Sequence, residues 1–123
     1  MKNAFAVGLG GFFGCIARYL AGVLVSRLFD APVFPYATLT VNVIGCLLIG
    51  LLGGLAENTQ LISSTMQLFL IVGVLGGFTT YSAFGYQTLV LARDGQILIA
   101  GLNVTAHIIL GLGAVWLGML MAK

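Results

Sequence analysis

Charge is what this chain has least of. Three acidic and five basic side chains serve 123 residues, 7% in all, against 60% apolar residues and a mean hydropathy of +1.14. A soluble domain of this length has no interior large enough to hide so much apolar surface, so the composition describes a polytopic protein of the lipid bilayer. A net charge of +2 is too small for a nucleic-acid surface. The three carboxylates, Asp30, Glu57 and Asp94, all lie outside the apolar runs. A proton- or cation-coupled carrier normally needs a carboxylate on its path, so that class is disfavoured. Cysteine is limited to Cys15 and Cys46, both inside apolar runs, where a thiol behaves as a small core residue. The single histidine, His107, has no Cys, Asp or Glu near it at metal-ligand spacing, which argues against a side-chain metal centre. There is no Ser/His/Asp set, no paired carboxylate and no phosphate loop, so no enzyme constellation is present.

What is there is apolar and long. Four runs, about 4–28, 37–56, 66–91 and 96–121, read as transmembrane helices, and 1–123 reads as a single transmembrane domain of the all-α class. At about 1.5 Å per residue, each is long enough for a hydrocarbon core of roughly 30 Å. Asp30, Pro32 and Pro35 punctuate a first loop over Phe29–Tyr36, and Pro35 can open the second helix. Glu57–Thr65 is a polar loop, and Arg93-Asp94-Gly95 a tight turn. In the first run Gly8, Gly10, Gly11 and Gly14 make one face small, and the Gly10-x-x-x-Gly14 spacing permits close helix contact. Arg18 lies within the same run. It either serves function, or snorkels to the nearer interface or binds backbone carbonyls. In the second run Thr38, Asn42 and Gly45 share a face; the Asn42 amide must find a partner in lipid, and an interhelical hydrogen bond would suffice. In the fourth, Asn103, His107 and Gly111 are spaced by four and line one face.

The third run differs from the others. Its middle, Gly73–Phe84, reads GVLGGFTTYSAF. Gly76-Gly77 adds backbone freedom, and the hydroxyls of Thr79-Thr80 compete for backbone bonds, so a helix break is expected there. Non-helical backbone at membrane depth is tolerated only where it is buried in protein or lines a cavity, which makes this stretch the expected functional centre. Beyond it Tyr81, Phe84 and Thr88 share a face, with Ser82 beside it. The polar groups inside the runs are mostly hydrogen-bond donors. Neutral donors with one arginine suit an anion, while carbonyls freed by a break could instead hold a small cation. Spacing alone does not identify the ion.

Four spans put both termini on one side. Lys2 and Lys123 then stand against Arg27 and Arg93, two against two, and the positive-inside rule gives no orientation. A chain without bias can insert both ways up, and two copies in opposite orientations would form an antiparallel pair, the intermolecular counterpart of the inverted repeats of larger transporters. Four short helices cannot easily enclose a pathway alone, which also favours an oligomer.

Three stretches carry a family resemblance that covers essentially the whole chain, in order and spacing. Gly10–Tyr19 resembles a GGxxGxxxR[YW] opening, Thr38–Gly45 resembles TLxxNxxG, and Gly76–Phe84 resembles GGxTTFSTF. Together they are similar to the CrcB/Fluc fluoride channels. The resemblance implies a four-helix subunit with a broken third helix, in an antiparallel, dual-topology homodimer in the cell (inner or plasma) membrane. It implies passive, selective export of fluoride from the cytoplasm through two pathways, relieving fluoride toxicity. It also implies a structural sodium ion at the dimer centre, held by backbone carbonyls; Gly76 and Thr79 are the matching positions. Asn42 matches the family's pore asparagine, and Tyr81 and Phe84 its two pore phenylalanines. Thr80 and Ser82 match hydroxyl positions around them, Asn103 and His107 fall on the fourth-helix polar track, and Arg18 matches the family's arginine; the resemblance does not itself give Arg18 a role, and a vestibule or anion-attracting one is our own expectation.

Departures from the pattern are local. Tyr81 stands for the usual first phenylalanine and adds a phenol; Ala83 replaces a usual Thr or Ser and removes a donor. Gly111 and Val115 stand where some members carry Ser or Thr. Two other classes share some features. A small dual-topology multidrug transporter has the same size and unbiased charge but needs an acidic residue in the first span, and 4–28 has none. A helper subunit of a membrane complex would explain glycine-rich packing but not a polar break at mid-depth.

Overall fold

The structure, a computed structural model, describes residues 1–29, 33–58 and 62–123. Asp30 and Pro32, expected to stop the first helix, lie outside the described residues, as does the centre of the expected polar loop at Glu57–Thr65. Every regular element among the described residues is helical, and four helices are long and apolar enough to cross a membrane.

Helix α1, Lys2–Leu28, ends where the Phe29 N–H bonds the Val25 carbonyl at 2.9 Å. Pro35 stands just before α2, Tyr36–Asn58, and its carbonyl accepts the first helical bond, from the Leu39 N–H at 3.1 Å. The third span runs Ser64–Arg93 and changes character along its length. It opens as α3, Ser64–Gln67, capped by the Ser63 hydroxyl on the Met66 N–H at 3.3 Å. Leu68–Leu75 is wound as a π-helix, and α4, Gly76–Phe78, follows it. Thr79 and Thr80 have extended backbone, with φ/ψ of −83°/160° and −150°/112°, before α5, Tyr81–Arg93. Gly95 turns the chain at φ 78°, a conformation that suits glycine, and the Gln96 N–H closes the turn on the Leu91 carbonyl at 2.9 Å. Helix α6, Ile97–Met121, completes the chain.

Helix α1 packs on the π-helical stretch and α4, α2 packs on α6, and α5 leans on α6. The first two contacts rest on small residues, as membrane helix interfaces do. A methyl group on Gly10 would strike the Phe69 carbonyl oxygen, and one on Gly14 the Val74 carbonyl oxygen. Between α2 and α6, Gly50 faces the Val115 carbonyl and Gly118 the Leu47 carbonyl in the same way. Among the described residues buried apolar side chains are few, Val41 and Leu75 among them, while large apolar residues such as Phe12, Leu98 and Trp116 point outward. That distribution suits a chain surrounded by lipid or by another copy rather than by water.

Candidate functional site

The centre of the third span is shaped by Asn42 of α2. In a continuous helix the Thr80 N–H would bond the Gly76 carbonyl; here it bonds Asn42 Oδ1 at 2.8 Å. Asn42 Nδ2 in turn donates to the Thr80 carbonyl at 3.1 Å. The amide thus pairs with both polar groups of one extended residue, so Thr80 leaves the helix at this depth with neither its N–H nor its carbonyl orphaned. One N–H of Asn42 Nδ2 is left over. Gly45, one turn along α2, leaves room for Thr79, whose methyl a Cβ at Gly45 would strike.

Thr79 and Thr80 use their hydroxyls locally. Thr79 Oγ1 bonds back to the Leu75 carbonyl at 3.0 Å, and its own N–H does the same at 3.0 Å. Thr80 Oγ1 accepts from the Ala83 N–H at 3.2 Å, an N-cap for α5, and lies 3.4 Å from Ser82 Oγ. From the α1 side, Arg18 Nη1 donates to the Thr79 carbonyl at 3.0 Å, and Nη2 reaches Cys15 Sγ at 3.7 Å. Arg18 therefore spends one donor on the carbonyl of an extended residue and keeps others free.

A second cluster joins α5 to α6. The Phe84 ring lies 4.3 Å from the His107 ring, and Tyr81 lies 5.7 Å from Phe84. His107 Nδ1 is 2.9 Å from the Asn103 carbonyl. Asn103, with 0% exposure, donates from Nδ2 to Thr88 Oγ1 at 2.8 Å, and that hydroxyl donates to the Phe84 carbonyl at 2.8 Å. Two buried atoms of this cluster have no hydrogen-bond partner: Asn103 Oδ1 and His107 Nε2.

Two cavities flank the extended residues. The larger, 380 Å³, is lined by Asn42, Gly76, Thr79, Thr80, Tyr81, Phe84 and His107, and by apolar neighbours including Ile49 and Ile71. The other, 330 Å³, is lined by Arg18, Thr38, Thr80 and Ser82. The structure thus brings seven of the sequence-derived candidates, Asn42, Gly76, Thr79, Thr80, Tyr81, Phe84 and His107, to one cavity and places Arg18 and Ser82 at the other, with Thr80 on both. Asn103 reaches neither cavity. Tyr81 is 84% exposed and Gly76 and Ser82 are also exposed, so a single chain does not enclose this surface. Cys46, Ile49 and Ile71 on the larger cavity's wall, and Thr88 as the acceptor for Asn103, were not singled out from sequence as site residues. Thr88 shares the face of Tyr81 and Phe84, which was the available signal; the apolar wall residues look like any other lipid-facing residue.

No group of three or more His, Cys, Asp or Glu that could hold a metal ion occurs among the described residues. Backbone carbonyls are a different donor set, and hard cations take oxygen ligands. The Gly76 carbonyl has lost the helical donor Thr80, and the Thr79 carbonyl keeps a second lone pair beside Arg18. These two oxygens fit a hard monovalent cation in kind, and alone they fall short of a full ligand set in number.

Residues 5–119 match the family model described as CrcB-like protein, Camphor Resistance (CrcB). The chain belongs to the CrcB family. Over all 123 residues it is 42% identical to a fluoride-specific ion channel FluC of Flavobacterium psychrophilum, covering 98% of that protein. It is 46% identical to a fluoride-specific ion channel FluC of Methylobacillus flagellatus, of which it covers 96%, and 42% identical to one of Geobacter metallireducens, of which it covers 98%. The family match spans every candidate residue, from Arg18 to His107.

Proposed function

We propose that this chain is the subunit of a fluoride-selective channel that lets cytoplasmic fluoride leave the cell passively. It is an ion channel and not an enzyme, and its four spans make it a multi-pass membrane protein. The observation that carries the reading is the 380 Å³ cavity beside the Asn42–Thr80 pair, a mostly apolar space into which Asn42, Thr80, Tyr81 and Phe84 bring polar and aromatic groups and which no carboxylate lines. The curated relatives' names point the same way. The drug-transporter alternative is not favoured, because α1 contains no acidic residue.

Fluoride is small and strongly hydrated, so donors along the path must replace the water it gives up. In this reading the spare N–H of Asn42 and the Thr80 hydroxyl face the ion in the larger cavity. Tyr81 and Phe84 offer their weakly positive ring edges, and the Tyr81 phenol adds a donor. Ser82 and Arg18 serve the second cavity, where the guanidinium raises the local anion concentration at the mouth. Asn103 acts behind the cavity by fixing the helix face that carries His107. Neutral donors in series bind the ion weakly enough at each step to let it go.

The rest of the reading concerns assembly. The channel is an antiparallel, dual-topology homodimer in the cell (inner or plasma) membrane with a broken third helix at its centre. The balanced charge of the span ends and the uncovered Gly76, Tyr81 and Ser82 support this. A structural sodium ion would be held by the Gly76 and Thr79 carbonyls of both copies, and would supply positive charge to that part of the assembly.

Fluoride efflux from liposomes holding the purified protein tests the proposal, with a fluoride electrode, a potassium ionophore and chloride as the control. Fluoride leaves rapidly while chloride stays, and replacing sodium by a bulky organic cation on both sides abolishes the flux. Retained fluoride with a folded, sodium-supplied dimer would sink the channel.

A further inference from the structure

Helix α1 carries a third cavity, 490 Å³, that the proposed ion path does not use. Its α1 wall is Arg18, Tyr19, Gly22, Val23, Ser26 and Arg27, two neighbours per turn, so it is a groove along one strip of the helix. Ala37 of α2 forms the other side. At a helical rise of about 1.5 Å per residue, the two arginines stand about 14 Å apart along the axis. The floor between them is open, since a Cβ built on Gly22 has nothing within 4 Å. The two ends differ. Arg18 is committed inward, its Nη1 donating to the Thr79 carbonyl at 3.0 Å. Arg27 is exposed in the last turn of α1, and no carboxylate among the described residues lines the groove. Just past it in sequence the Phe29 and Tyr36 rings stack at 5.3 Å, and Phe34 lies 4.7 Å from Tyr36. Aromatic rings gather where a span meets the headgroups, which puts Arg27 at headgroup depth and Gly22 and Tyr19 at acyl-chain depth.

We propose that this groove seats an anionic phospholipid, its phosphate on Arg27 and Ser26 and one acyl chain laid over Gly22 and Val23 toward Tyr19. A guanidinium presents a planar fork of N–H donors that matches phosphate oxygens, and the Ser26 hydroxyl adds a donor one position away. A zwitterionic lipid brings an ammonium that no carboxylate of the groove receives and that Arg27 repels. A headgroup without an ammonium, such as phosphatidylglycerol, avoids both costs. A free hydrated anion suits the groove less well, because glycine, valine, alanine and a tyrosine ring separate the arginines and replace little of its water. The site goes beyond the proposed function, and its test does not depend on which ion the chain conducts. The groove shares Arg18, Gly22 and Ala37 with the 330 Å³ cavity, so an acyl chain seated there also forms a wall of that cavity.

Native mass spectrometry of the purified protein in detergent reads the site, with phosphatidylglycerol or phosphatidylcholine of the same acyl chains as the probe. Phosphatidylglycerol is expected to bind once per chain and about fivefold more tightly than phosphatidylcholine, the worth of one basic residue beside anionic lipid. Arg27→Gln keeps polar donors without the charge and should erase that preference. Arg93→Gln, in the last turn of α5 at the same end of the spans but outside the groove, should leave it intact. Gly22→Leu fills the open floor and should weaken binding of both lipids in a protein whose thermal melt shows it folded. Glycerol phosphate, the headgroup without its tails, should not displace phosphatidylglycerol. Equal binding of the two lipids, a preference that survives Arg27→Gln or is lost equally in Arg93→Gln, or unchanged lipid binding in folded Gly22→Leu protein would each overturn the site. Displacement by glycerol phosphate would overturn it too, and would make the groove an outer mouth for free anions instead.

Discussion

Two of the contacts made by the third span are built from different materials. On its N-terminal side, Gly10 and Gly14 of α1 lie against the carbonyls of Phe69 and Val74, backbone on backbone, with no room for a methyl group. On its C-terminal side, α5 meets α6 through Thr88, Asn103, Phe84 and His107, and two buried polar atoms are left without partners. The first contact tolerates no added volume and does no chemistry. The second has polar groups to spare, which is where a proposed ion path can be accommodated. Asn42 sits at the seam, holding the extended Thr80 between the two.

The seam should be the most sensitive point. Asn42→Leu keeps the volume but leaves the Thr80 N–H and carbonyl without their partners. At about 1–3 kcal/mol for each group, discounted for partial burial, the loss should be about 2–4 kcal/mol. A thermal melt of the detergent-solubilised protein reads it. Asn42→Asp retains an acceptor for the Thr80 N–H, so it should fold better than the leucine variant and yet lose fluoride flux. Equal melts for the wild-type and leucine proteins would mean that the helix opens at Thr79–Thr80 without help from α2.

Gly14→Ala attacks the rigid contact. The added methyl meets the Val74 carbonyl, a backbone atom that cannot swing aside, and overpacking of this kind costs about 1–3 kcal/mol. Gly22→Ala, on the same helix with nothing within 4 Å, should be neutral or slightly stabilising. If both variants melt alike, α1 does not dock as closely as its glycines imply and the contrast between the two contacts fails.

Much of this was legible in the sequence because the bilayer imposes simple rules. Four apolar runs give four spans, and Gly10 with Gly14 marks a close approach before any partner is known. What the sequence did not show is pairing. Asn42 could be read as a pore group or as glue between helices. The structure uses both ends of its amide on Thr80 and leaves one N–H over, so the two readings are compatible. Arg18 likewise bonds a carbonyl, that of Thr79, while lining a cavity. The π winding of Leu68–Leu75 had no signal, since hydrophobic periodicity over eight apolar residues cannot separate a 3.6-residue turn from a wider one. Asn103 shares a helix face with His107, as its spacing implied, but helical spacing cannot say that Thr88 on another helix would take its amide away from the cavity.

That last bond offers the finest test of the contrast. Thr88→Val removes the acceptor from Asn103 Nδ2, in a residue whose Oδ1 already has no partner. Hydrogen bonds between membrane helices are worth about 0.6 kcal/mol on average and up to about 1.7, because the unfolded chain in the membrane also finds partners. A double-mutant cycle of Thr88→Val with Asn103→Leu should therefore give a coupling in that range, smaller than the steric cost at Gly14. The bond sets the face on which His107 stands, so the valine variant should also lower fluoride flux by more than its loss of stability explains. A coupling near zero with unchanged flux would show that α5 and α6 are held by apolar packing alone. The polar character of that contact would then be incidental to the path.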